Sequence, residues 1–152
     1  MSLPGCPRCE SEWPDGRPPG AEVYRDEHVI AFHATVEDVD GYLGYLFVQT
    51  RRHAPGLADR TDAEVVAEAR LITLLAAALK REGAEHVYSF VFDHTPHHHA
   101  HVVGRYPGTP KEYRGPTIDR WPDAPRGDVE AIRALSDRLR ASLAEAGPLR
   151  GG

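Results

Sequence analysis

No apolar run in this 152-residue sequence approaches the ~20 residues that a membrane-crossing helix needs. The opening stretch, "MSLPGCPRCESEW", lacks the charged segment followed by an apolar one that marks a secretory signal. A cytoplasmic protein with no membrane partner is therefore expected. A basic excess is missing as well: 18 Lys and Arg stand against 23 Asp and Glu, for a net charge of −5. General nucleic-acid binders are basic, so nucleic acid is not an expected partner, although a local basic patch stays open. Cysteine is scarce, and the two present, Cys6 and Cys9, cannot build a disulfide framework. Their C-x-x-C spacing does not suit a thioredoxin-like redox pair, which follows a strand and opens a helix. This pair precedes any strand signal, inside a Pro- and Gly-rich lead. Half of a tetrahedral zinc site and a pair of inert thiols fit the spacing equally well.

What is present reads as one domain over 1–152, with no internal repeat. Residues 1–20 form a loop-like lead. "AEVYRD" and "HVIAFHA" have the Val, Tyr, Ile and Phe content of strands and make a hairpin about "DEH". "GYLGYLFVQTR" (41–51) is a third strand after the acidic turn "EDVD". Thr61 and Glu64 form a capping box ahead of a helix that stops near Gly83. Its apolar arc, including Val65, Ala69, Leu71, Ile72, Leu75 and Leu79, is broad enough to pack on more than one side. "EHVYSFVFD" (85–93) is a fourth strand and "HHHAHVVGRY" (97–106) a fifth. Residues 105–127 are long, irregular and punctuated by Pro and Gly. Asp128 caps a C-terminal helix, with Ile132, Leu135, Leu139 and Leu143 on one face and a stop at Gly147.

Five of the nine histidines fall between residues 94 and 101, in "HTPHHHAH". Alternate side chains of a strand share a face, so His97, His99 and His101 point one way. Ala100 and Val102 point to the core, and His98 is the odd residue on that second face. Three imidazoles on one face are costly to bury without partners. Two chemistries suit the row. One is metal ligation by neutral imidazole; the other is nucleophilic attack on phosphorus by one histidine while its neighbours bind charged oxygens.

The run His97-His98-His99-Ala100-His101-Val102-Val103 resembles the histidine-triad motif, H-φ-H-φ-H-φ-φ with φ apolar. Upstream, "VYRDEHVIAFHA" and Gly44-Tyr45-Leu46-Phe47-Val48-Gln49-Thr50-Arg51-Arg52-His53 resemble the first half of such domains. The Cys6-Pro7-Arg8-Cys9 lead is similar to the C-x-x-C that opens many bacterial, zinc-containing members. The likeness covers about residues 6 to 106.

The resemblance implies an α+β fold, an antiparallel sheet of about five strands with one main helix and a C-terminal helix, and a hydrolase acting on nucleotide α-phosphates, as a homodimer paired through the main helix and strand four (85–92). Substrates would be dinucleoside polyphosphates or nucleoside phosphate conjugates with anhydride, amidate or ester links. His99 is implied as the nucleophile that becomes nucleotidylated, and His101 as a phosphate-holding partner; the transferase branch has Gln at that third position. A structural zinc is implied at Cys6, Cys9, His53 and His97, with His94 as the other candidate for the fourth place.

The sequence departs from the pattern at His98, in place of φ, at Gly104, at Ala34, where many members carry a ribose-binding Asp, and at Tyr45, in place of His. The Gln that precedes the triad and contacts phosphate is absent; "FVFDHTP" stands there. Two other functions therefore stay open: a non-catalytic nucleotide-binding protein, and a metal-dependent hydrolase that holds its ion on the histidine row. The 105–126 segment carries five basic against three acidic residues, with Tyr113 and Trp121. Arg105 and Trp121 are its candidate substrate contacts, with plain surface packing as the alternative.

Overall fold

The computed structural model describes residues 4–10, 21–92 and 94–147. Of the expected loop over 1–20, residues 1–3 and 11–20 fall outside them, and Pro7–Glu10 form a short helical turn instead of loop. The elements run in chain order as α1 (Pro7–Glu10), β1 (Glu22–Arg25), β2 (Val29–His33), α2 (Val36–Val39), β3 (Tyr45–Thr50), α3 (Asp62–Arg81), β4 (His86–Phe90), β5 (His99–Arg105) and α4 (Val129–Ala146). The five strands make one antiparallel sheet in the order β1-β2-β3-β5-β4. The architecture is α+β.

Local chemistry sets the joints. Asp26 turns the first hairpin by accepting the backbone N–H groups of His28 and Val29 at 2.7 and 2.8 Å. Thr61 and Glu64 cap α3 reciprocally, and the Asp128 carboxylate accepts from Ala131 N at 2.9 Å to start α4. Period-two alternation then divides the sheet into two faces. Val29, Ala31, Leu46, Val48 and Val102 meet Leu71, Leu75 and Leu79 of α3 and Leu135, Leu139 and Leu143 of α4. Helix α3 packs on both the sheet and α4, as its broad apolar arc requires. Truncating Leu75 or Leu79, both buried, to Ala would cost about 2–5 kcal/mol.

The opposite face carries Ile30, Phe32, Tyr45, Phe47 and Val103, covered in part by Ile118, Trp121 and Ala124 from the long segment before α4. That segment is less irregular than its Pro and Gly content suggests. It makes short 3-10 turns at Lys111–Tyr113 and Ile118–Arg120.

Several boundaries differ from the sequence expectation, and β4 covers His86–Phe90 rather than 85–93. The acidic "EDVD" stretch lies mostly in a short helix, α2, because Thr35 and Asp38 cap it reciprocally. Strand β3 starts at Tyr45 rather than Gly41, because residues 40, 41 and 44 take positive φ values of 50°, 72° and 84°. Gly44 belongs there for a second reason: a Cβ would collide with the Tyr106 hydroxyl. Strand β5 starts at His99, not His97, and that decides the site.

Candidate functional site

His97 and His98 precede the β5 ladder. His97 N bonds Thr95 O at 2.7 Å, and His98 N reaches back to Ala54 O at 2.6 Å. The chain therefore bends before the strand, and the row expected to share one face divides after its first histidine.

The His97 ring turns toward the N-terminal lead. Its Nε2 lies 2.7 Å from Thr50 O and must carry the proton donated to that carbonyl. Its Nδ1 lone pair then faces Cys6 Sγ at 3.7 Å and Cys9 Sγ at 3.3 Å. His53 Nδ1 lies 3.3 Å from Cys9 Sγ, and all four ligand atoms fall within 4.8 Å of one another. Tetrahedral zinc with two thiolates and two imidazoles has ligand–ligand edges of about 3.3–3.8 Å. The donor set and spacing fit that ion, and the His97–Thr50 bond is of the kind that would orient a ligating imidazole. His94 is exposed and lies outside the cluster, near Phe92 and His99.

His99 and His101 stay together on the sheet face opposite the helices, with ring centroids 5.3 Å apart. Their hydrogen bonds assign opposite tautomers. His99 Nδ1 lies 3.0 Å from His97 O and donates to it, so Nε2 bears a lone pair. His101 Nδ1 lies 2.8 Å from the Tyr45 hydroxyl. Burial pushes the Tyr45 phenol well above its usual pKa, so it keeps its proton and donates it; His101 Nε2 is then an N–H. Both Nε2 atoms are buried and lack a hydrogen-bond partner among the described residues. Burial, then the positive charge of Arg8, pulls His99 down to a pKa of about 3 and His101 to about 4. Both rings are neutral near pH 7. A lone pair and an N–H, side by side, can attack an electrophilic centre and bind the charge that develops on it.

No family model matches the sequence, and no curated protein matches it. Solved structures do. A histidine-triad nucleotide-binding protein from Sulfolobus tokodaii superposes with a TM-score of 0.65 at 17% identity, over 89% of this chain and 90% of that one. A zinc-bound histidine-triad family protein from Mycobacterium smegmatis gives 0.62 at 21%, over 87% and 89%. A histidine-triad protein from Sinorhizobium meliloti gives 0.63 at 20%, over 81% and 89%. The chain has the histidine-triad fold.

Within the histidine-triad fold, the other candidate residues are placed as follows. His98 faces α3, on the side expected for it, and its Nε2 meets the buried Glu68 carboxylate at 2.7 Å; Arg60 meets the same oxygen at 3.1 Å. Its partner was readable: Glu64 and Glu68 lie on the buried stripe of α3, and carboxylates there require counter-charges, which Arg52 and Arg60 supply. Arg105 ends β5 away from the two imidazoles, its guanidinium taken by Glu85 at 3.0 Å and the Tyr88 hydroxyl at 2.8 Å. Trp121 is no exposed stacking platform, being buried in the cluster with Tyr42, Tyr45 and Ile118. Arg126 bonds four backbone carbonyls, of Val39, Asp40, Asp119 and Trp121, and so closes the segment onto α2.

Sequence reasoning missed Arg8. Its guanidinium donates to Gln49 Oε1 at 2.9 Å and lies 5.0 Å from the Phe47 ring centroid. The signal was its place between two cysteines, where anchoring the thiols also fixes the charge.

Proposed function

We propose that this chain is a hydrolase that releases a nucleoside monophosphate from a nucleotide conjugate or dinucleoside polyphosphate. The observation that carries the reading is the pair of unpartnered Nε2 atoms in opposite tautomers on His99 and His101. His99 Nε2 attacks the α-phosphorus. A P–N bond forms, the bond from phosphorus to the leaving group breaks, and the leaving group departs with the electron pair. His99 keeps its Nδ1 proton on His97 O, so the adduct is a cationic nucleotidyl-imidazolium. His101 Nε2–H binds a non-bridging oxygen. Water then attacks phosphorus, the P–N bond breaks back to neutral His99, and a proton is released.

Cys6, Cys9, His53 and His97 would hold a structural zinc that takes no part in these steps. A catalytic metal on the histidine row is disfavoured: among the described residues the clustered donors are those four, and His99 and His101 are not with them. We also infer a two-fold homodimer formed across β4, which is an edge of the sheet, and the face of α3 that leaves Val65 39% exposed. Light scattering at micromolar concentration should give twice the chain mass, and a monomer would remove the dimer.

A screen of nucleotide conjugates under single-turnover conditions tests the chemistry. The expected result is a burst of leaving group, and an acid-labile nucleotidyl adduct on the peptide that contains His99. Alanine substitutions at the two histidines separate their roles: His99→Ala should abolish turnover, and His101→Ala should lower kcat. Nucleotide binding without a burst would favour a binding protein instead. Wild-type kcat in His99→Ala would sink the mechanism.

A further inference from the structure

We propose that Arg8, the residue between the two cysteines of the lead, is the cation that binds the substrate phosphate at His99 and His101. The inference rests on the nucleotide reading above and adds a residue and a coupling to it.

Gln49 pairs with His99, and Phe47 with His101, across the β3–β5 ladder. Arg8 touches both residues of β3, through the Gln49 carboxamide and over the Phe47 ring. Phe47 itself lies edge-on to both imidazoles, with centroids 5.9 Å from His99 and 5.0 Å from His101. The guanidinium therefore spans the two rungs that carry the chemistry. His101 accepts from Tyr45 and is neutral, and His99, whose Nδ1 donates to His97 O, attacks only with its Nε2 unprotonated. A phosphate arriving there brings negative charge that neither ring offsets. A guanidinium carries a permanent charge in a planar fork suited to phosphate oxygens. Arg105, the sequence candidate for a substrate contact, is held by Glu85 and Tyr88.

The position of Arg8 in Cys6-Pro7-Arg8-Cys9 couples two parts of the molecule. The cysteines, His53 and His97 fix the lead against β3 and the start of β5, and that anchor sets where the guanidinium stands. An ion held by the four side chains would then act on the substrate only by keeping Arg8 in place.

The test compares binding of AMP, GMP, CMP and UMP with binding of their nucleosides by calorimetry, in wild type, Arg8→Gln, Arg8→Met and Arg8→Lys, with metal content measured in each. Wild type should prefer at least one monophosphate over its nucleoside. Arg8→Gln and Arg8→Met should weaken that monophosphate by about tenfold or more, the value of a charge-assisted hydrogen bond, while nucleoside affinity stays within about twofold. Arg8→Lys should recover part of the loss. Arg8→Met keeps an apolar stem over Phe47, so it separates packing from charge. Unchanged monophosphate affinity in both neutral variants would overturn the role of Arg8 and leave the nucleotide reading standing. Failure of wild type to bind any of the four monophosphates would overturn both.

Discussion

The Tyr45 hydroxyl lies 2.8 Å from His101 Nδ1 and so decides which nitrogen of that ring faces the site. Tyr45→Phe removes the donor but preserves the ring packing against Tyr42 and Phe47. His101 then loses the bond that keeps its proton on Nε2. A fall in kcat of about tenfold is expected, with KM nearly unchanged and a stability loss of about 1 kcal/mol. Steady-state kinetics and denaturant melts of the pure variant check both, and an unchanged kcat would remove the orienting role.

His98 is a structural histidine in this arrangement. His98→Ala strips one partner from the buried Glu68 carboxylate and leaves Arg60 in place. A loss of about 1–3 kcal/mol in urea unfolding is expected, with kcat within a few-fold of wild type. Glu68→Ala should cost more, because it leaves both Arg60 and His98 without their acceptor. A large kcat loss in a folded His98→Ala protein would show that the second face takes part in the chemistry.

Protein purified without an affinity tag that binds metals should carry about one zinc per chain. Cys9→Ala should lose it, because Cys9 Sγ is the atom that meets both imidazoles, at 3.3 Å each. The melting temperature should fall with the metal. Metal-free wild-type protein with a wild-type melt would discard the zinc site.

Acid should destabilise the protein partly through His33. Its Nδ1 donates to Ala34 O at 2.7 Å, and its Nε2 accepts from Gly44 N at 2.9 Å, so a second ring proton breaks the Gly44 bond. Burial lowers the pKa to about 4 from 6.5. The unfolded chain thus binds this proton more tightly than the folded one. The contribution is complete above about pH 6.5 and is lost as pH falls toward 4, at up to about 1.4 kcal/mol per pH unit. Urea melts of wild type between pH 7 and pH 5 should show the decline, and His33→Asn should flatten it. Equal slopes in the two proteins would exclude His33 as the group responsible.

The elements of this fold were legible because their signals are local. The Thr61 and Asp128 caps, the apolar stripe of α4, the Val, Ile and Phe content of β2 and the alternation in β5 each lie within a few residues of what they control. The candidate residues were legible as types: two thiols at C-x-x-C spacing and a run of histidines select metal and phosphorus chemistry through donor atoms alone. The division of labour within the run was not. His97 was separated from His99 by a carbonyl 47 residues away, Thr50 O, and by cysteines about 90 residues away. A hydroxyl 56 residues away, on Tyr45, set the tautomer of His101. Arg8 looked like lead composition until β3 supplied Gln49 and Phe47 to receive it. A sequence determines which atoms are available to donate, accept or attack. Which nitrogen of a ring does so depends on what occupies the other nitrogen, and that neighbour is supplied only by tertiary packing.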